Sequence, residues 1–130
     1  GGAAALSPWT DLTCSGESYR SNAATCLAPT GSWNACRKHY LGDRDPLDPL
    51  ASPLHGDLSG LPPLRIYAGG SETLRDDATA FADKARAAGA EVSLCVGEGL
   101  FHCYPACAPI FPEATAAMGE IRSFIARYAG

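Results

Sequence analysis

Two apolar runs bracketing one amphipathic stretch constrain this chain more than any other feature. "LRIYAGG" (Leu64 to Gly70) is short, rich in apolar residues and closed by two glycines, the pattern of a buried strand running into a turn. "EVSLCVG" (Glu91 to Gly97) alternates Val92, Leu94 and Val96 and reads as a second strand. Between them, "ETLRDDATAFADKARAAGA" repeats Leu74, Ala78, Phe81, Ala85 and Ala88 at helical spacing, and Gly89 supplies a stop. Strands joined by a crossover helix of this length pair in parallel. A parallel sheet in turn needs helices on both faces. The fold class is therefore α/β.

The remainder fits around that unit. "GGAAALSPW" at the start suits a further strand. The segment from Pro112 to Tyr128 reads as a closing helix with proline in its first turn and a buried stripe of Met118, Ile121, Ile125 and Tyr128. A third helix is expected over Ser32 to Gly42, with Ser32 as its N-cap and Gly42 as its stop. "DRDPLDPLASPL" follows, and its three prolines forbid a helix. Two or three parallel strands leave a long unpaired edge. The expectation is that residues 1–130 form a single portion of a larger α/β sheet, and that the bare edge favours a homo-oligomer.

Composition narrows the partners. The chain of 130 residues has a net charge of −4, which offers no basic surface for nucleic acid. No apolar run approaches membrane-spanning length, and no charged segment followed by an apolar one marks a signal peptide. Six cysteines are scattered through the chain without a CxxC pair. They read as free thiols of a cytoplasmic protein.

Chemistry in open parallel sheets gathers at the carboxyl ends of the strands. Two such ends carry titratable residues here: Ser71-Glu72 after the first strand, and His102 in "GLFHCYPAC" after the second. Both loops should open on one rim, where a carboxylate can accept the Nδ1 proton of an imidazole and fix its tautomer. Asp76 and Asp77 compete with Glu72 as the acid. Glu72 also suits a helix N-terminus on electrostatic grounds alone.

The chain resembles the C-terminal part of the bacterial hormone-sensitive-lipase-like esterases, an α/β-hydrolase family. The matching stretches are "LSPWTDLT", "SY" with "SNAAT", "HYLGDRDPLDPLASPLHGDLSGLPPL", "GGSETLRDDATAFADKARAAG" and "GLFHCYP". The resemblance implies a partial α/β-hydrolase fold. It also implies a Ser-His-Asp/Glu triad whose acid falls on Glu72 and whose base falls on His102. It implies small esters as substrates of the intact enzyme, with no cofactor and no metal. The family's nucleophile elbow and oxyanion-hole glycines lie upstream of the matched region, and no G-x-S-x-G occurs in this sequence. Little or no triad activity is expected of the chain alone. Cys26 stands where the family usually carries an acid, and Cys103 stands where it often has an apolar residue.

Two other readings come from different classes. One is a non-catalytic, self-associating module. The other is a metal-supported hydrolase built on His102, Cys103 and Cys107, although H-C-x3-C is not a standard zinc spacing. His39 and His55 show no partner in the sequence and read as structural or surface residues.

Overall fold

The structure is a computed structural model, and it describes residues 1–28 and 30–129. Strands β1 (Ala3–Leu6), β2 (Leu64–Gly69) and β3 (Val92–Gly97) form a parallel sheet in the order β1-β2-β3. Leu64 lies between Ala3 and Val92, and Tyr67 lies between Leu6 and Cys95. Helices α1 (Ser18–Ser21) and α2 (Thr30–Leu41) fall between β1 and β2. Helix α3 (Arg75–Ala87) makes the crossover, and α4 (Pro112–Tyr128) closes the chain.

Strand periodicity of two divides the core. Ile66 and Ala68 face α3, where Ala78 and Ala82 bring the helix close. Tyr67 faces the other way, into a cluster with Tyr104, Ala114, Ala117 and Ile121 under α4. Each fully buried Ile or Leu in these layers contributes about 1.5–3 kcal/mol. The α/β class and the parallel crossover expected from the sequence are therefore observed, as is the extra strand at the start.

Several local expectations shift. Helix α2 begins at Thr30, so Ser32 lies inside it rather than capping it. Gly42 does end it: its φ of 57° is the left-handed turn that favours glycine, and its amide donates to the Lys38 carbonyl. In α4 the buried positions are Ala114, Ala117 and Ile121, whereas Ile125 is 50% exposed. The rings of Tyr67 and Tyr104 fill the space between sheet and helix, so small side chains face them. Val96, expected inside, is 40% exposed on the edge strand. No helix among the described residues is long and apolar enough to cross a membrane.

The loop after β1 is tied to the first turn of α3. Asp77 is buried, and its carboxylate accepts the Thr10 and Asp11 amides at 2.9 and 2.8 Å. Burial raises its pKa to about 6, outweighing those amides and the Tyr19 hydroxyl, which favour the charged form. A folded-state pKa above the unfolded value gives a stability contribution that is complete below about pH 4 and lost as pH rises through 6. Asp77→Asn removes this penalty. In urea unfolding of the purified chain, the variant should gain about 3 kcal/mol on the wild type between pH 4 and pH 7. A gap that stays constant with pH would contradict this account.

Candidate active site

The carboxyl ends of β2 and β3 lie side by side, with Gly69 paired to Gly97. The loop after β3 folds back over the end of β2. The Gly70 amide donates to the Gly97 carbonyl at 2.7 Å, and the Ser71 amide donates to the Leu100 carbonyl at 3.0 Å. Gly69 makes this crossing possible. A Cβ there would sit 2.5 Å from the carbonyl oxygens of both Leu100 and Phe101.

The crossing brings Glu72 to His102. Glu72 is fully buried, and its Oε2 lies 3.0 Å from His102 Nδ1. Its other oxygen, Oε1, is buried with no hydrogen-bond donor among the described residues. Buried acceptors are normally satisfied by protein or ordered water. The pairing leaves Nε2, on the far side of the ring from Glu72, to exchange a proton. The Trp33 ring of α2 packs edge-on against the imidazole, with centroids 5.6 Å apart, and Trp9 packs against Trp33 at 4.9 Å. An apolar wall therefore borders the histidine.

Helix α1 clamps the acid turn. Asn22 Nδ2 donates to the carbonyls of Gly70 and Glu72 at 3.0 and 2.8 Å. The Ser18 amide donates to Asp76 at 2.8 Å, and the Asp76 amide donates to the Ser18 hydroxyl at 3.1 Å. Thr25 donates to the Ser71 carbonyl. Of the three competing acids, the structure brings Glu72 to the histidine, while Asp76 and Asp77 hold the neighbouring loops. Ser18 and Asn22 lie in the stretches "SY" and "SNAAT", but no local spacing gave them a role, because their partners are 48 to 58 residues away.

His55 has a partner after all. Its Nε2 lies 3.0 Å from Asp11 Oδ1, and Asp11 also accepts from the Thr13 and Ser15 hydroxyls. Burial alone would raise the Asp11 carboxyl, but the hydrogen bonds from Thr13, Ser15 and His55 outweigh it and hold it at about 2. This second carboxylate–imidazole pair staples the loop after β1 to the proline-rich loop.

The three residues of the metal reading do not converge. Cys107 packs into the apolar cluster under α4, and His102 Nδ1 is already taken by Glu72. No group of three His, Cys, Asp or Glu side chains among the described residues could hold a metal ion. Cys103, standing where an apolar residue is common in the resembled family, places its Sγ 3.4 Å from His102 Nε2.

The acid and the imidazole thus meet at the carboxyl rim of a parallel sheet, beside a crossover helix. The α/β-hydrolase fold family matches residues 1–106, and the chain belongs to that family. Within it the chain is similar to bacterial esterases of the hormone-sensitive-lipase type. It is 40% identical over 124 residues to an acetyl-hydrolase of Streptomyces hygroscopicus, covering 95% of this chain and 42% of that protein. It is 38% identical over 121 residues to an esterase of Acinetobacter venetianus, covering 92% and 40%. Among solved structures, an esterase of the bacterial hormone-sensitive lipase family superposes with a TM-score of 0.94 at 40% identity. That match covers 99% of this chain and 44% of the other. The chain thus spans less than half the length of these relatives.

Proposed function

We propose that this chain carries the base and the acid of a carboxylic-ester hydrolase, and that the serine nucleophile and the oxyanion donors come from a segment outside it. The observation that carries this reading is the 3.0 Å contact from His102 Nδ1 to the fully buried Glu72. In this mechanism the serine attacks the ester carbonyl while His102 Nε2 takes its proton. His102 then returns the proton to the leaving alcohol, and a water repeats the cycle on the acyl-enzyme. Glu72 holds the tautomer that leaves Nε2 free to accept, and it stabilises the imidazolium that forms. The missing oxyanion donors supply a large electrostatic share of such catalysis.

Among the described residues, no strand pairs with the outer edge of β1. That edge is where further parallel strands of the same hydrolase would add, and a second copy of the chain is its other possible occupant. The relatives named acetyl-hydrolase and esterase favour small esters as substrates.

A fusion tests the reading. The part of the Streptomyces hygroscopicus acetyl-hydrolase that this chain does not match is joined ahead of Gly1, and hydrolysis of p-nitrophenyl acetate is measured. Turnover that a fluorophosphonate serine probe abolishes is the expected result. A folded fusion that neither turns over the ester nor reacts with the probe would count against His102 and Glu72 as working base and acid.

A further inference from the structure

We infer that Cys103 is an acyl-accepting nucleophile of this chain, deprotonated by the Glu72–His102 pair. The inference uses the same base and acid as the ester-hydrolase reading, but not its serine.

Three side chains fall in sequence: Glu72 Oε2 lies 3.0 Å from His102 Nδ1, and His102 Nε2 lies 3.4 Å from Cys103 Sγ. This is the acid–imidazole–nucleophile order of a triad, complete within one chain and with sulfur at its end. Other thiols with recorded hydrogen-bond contacts meet different groups: Cys14 the Leu12 carbonyl, Cys26 the Thr73 hydroxyl, and Cys95 the Tyr104 hydroxyl. Among the described residues, Cys103 is the thiol recorded on a histidine nitrogen.

The backbone accounts for the contact. Neighbouring side chains on an extended chain point apart, yet Cys103 has a φ of 55°, in the left-handed region that non-glycine residues rarely adopt. Its amide donates to the Ser7 hydroxyl at 2.8 Å, which holds it there. Strain of this kind persists where the surroundings over-determine it. The thiol is half-buried and also lies 3.7 Å from the Leu6 carbonyl, a second acceptor for its proton.

Burial first, and the Glu72 and Cys107 charges after it, raise the Cys103 pKa against a lowering contact with Ser7. The group is therefore a thiol at neutral pH, and its reactivity must come from proton transfer to the imidazole during attack. In the step, a sulfur lone pair forms the S–C bond to an ester carbonyl while the S–H proton passes to Nε2. The tetrahedral adduct then expels the alcohol oxygen, which takes the proton from His102 when its basicity requires. The products are a thioester on Cys103 and a free alcohol, and nothing is oxidised or reduced.

The test uses the purified chain with excess p-nitrophenyl acetate, and mass spectrometry of its peptides follows acetylation at each cysteine over time. Cys103 should acetylate faster than any other cysteine. His102→Gln, with its circular dichroism unchanged, should slow that site by about a hundredfold, the lower range of general-base catalysis, while leaving the others alone. Should the variant not fold, the wild type in denaturing urea serves instead, and the advantage of Cys103 should vanish there. The inference is overturned if Cys103 labels no faster than the other cysteines in the folded chain. It is equally overturned if its lead survives folded His102→Gln or denaturing urea. The readout involves no serine, so its failure leaves the ester-hydrolase reading standing, and an inactive fusion leaves the thiol result standing.

Discussion

In the fusion enzyme, His102→Ala should lower kcat for p-nitrophenyl acetate by about 10⁴–10⁶-fold, and Glu72→Gln by about 10⁴-fold, the range found for members of such triads. The two losses have different causes. Without the imidazole no group near the scissile bond takes the serine proton. In the Glu72→Gln variant the imidazole remains, but its buried neighbour no longer carries the charge that stabilises the imidazolium. The new side-chain amide can also donate to Nδ1, which favours the wrong tautomer and turns an N–H toward the nucleophile. The double variant should lose no more than His102→Ala alone, because the residues act as a unit. Losses that multiply would mean that Glu72 acts elsewhere than through the histidine. KM should change little in both variants, since neither side chain supplies ground-state binding.

Gly69→Ala should be the most damaging single methyl in the chain. The added Cβ would lie 2.5 Å from the Leu100 and Phe101 carbonyl oxygens, against an ordinary contact of at least 3.4 Å. Both obstacles are backbone, so no side chain can swing away. Relief requires moving the loop that carries His102 by roughly an ångström. Overpacking of this kind costs about 1–3 kcal/mol, and a misplacement of about 1 Å costs about 10²-fold in rate. The expected result is a lowered urea midpoint in the chain together with a fall of that size in the fusion's kcat. Gly119→Ala is the control. It lies within α4 with nothing inside 4 Å of the new Cβ, so the exchange should stabilise the helix by up to about 1 kcal/mol and leave activity intact. Equal behaviour of the two variants would refute the crowding argument.

The architecture was legible because its signals are local. A short apolar run in "LRIYAG", a period of two in "EVSLCVG", a period of 3.6 in α3, and glycines at the ends define a parallel crossover without knowledge of any distant residue. The Glu72–His102 pair was legible for a related reason: topology alone places the ends of adjacent parallel strands on one rim. Choosing Glu72 over Asp76 and Asp77 needed the family resemblance. Helix periodicity does not say which first-turn acid faces the histidine.

What escaped the sequence depends on distant pairings. His55 and Asp11 are 44 residues apart, and Asp77 reaches Thr10 across 67. Neither pairing leaves a mark in local spacing. The buried stripe of α4 departs from its sequence pattern because burial there depends on the size of the tyrosines it meets, not on its own hydrophobicity.

The sequence by itself determined the strands, the crossover, their parallel sense and the rim on which the acid and base would meet, because hydrophobic period and chain connectivity leave little alternative. Tertiary structure alone decided how α1 clamps the acid turn and that Cys103 turns back onto Nε2, and it buried Glu72, the acid that the resemblance pointed to, against His102. Those depend on a left-handed backbone and on hydrogen bonds that Ser7 accepts and that Ser18 and Asn22 make, whose partners become neighbours only when the strands pair.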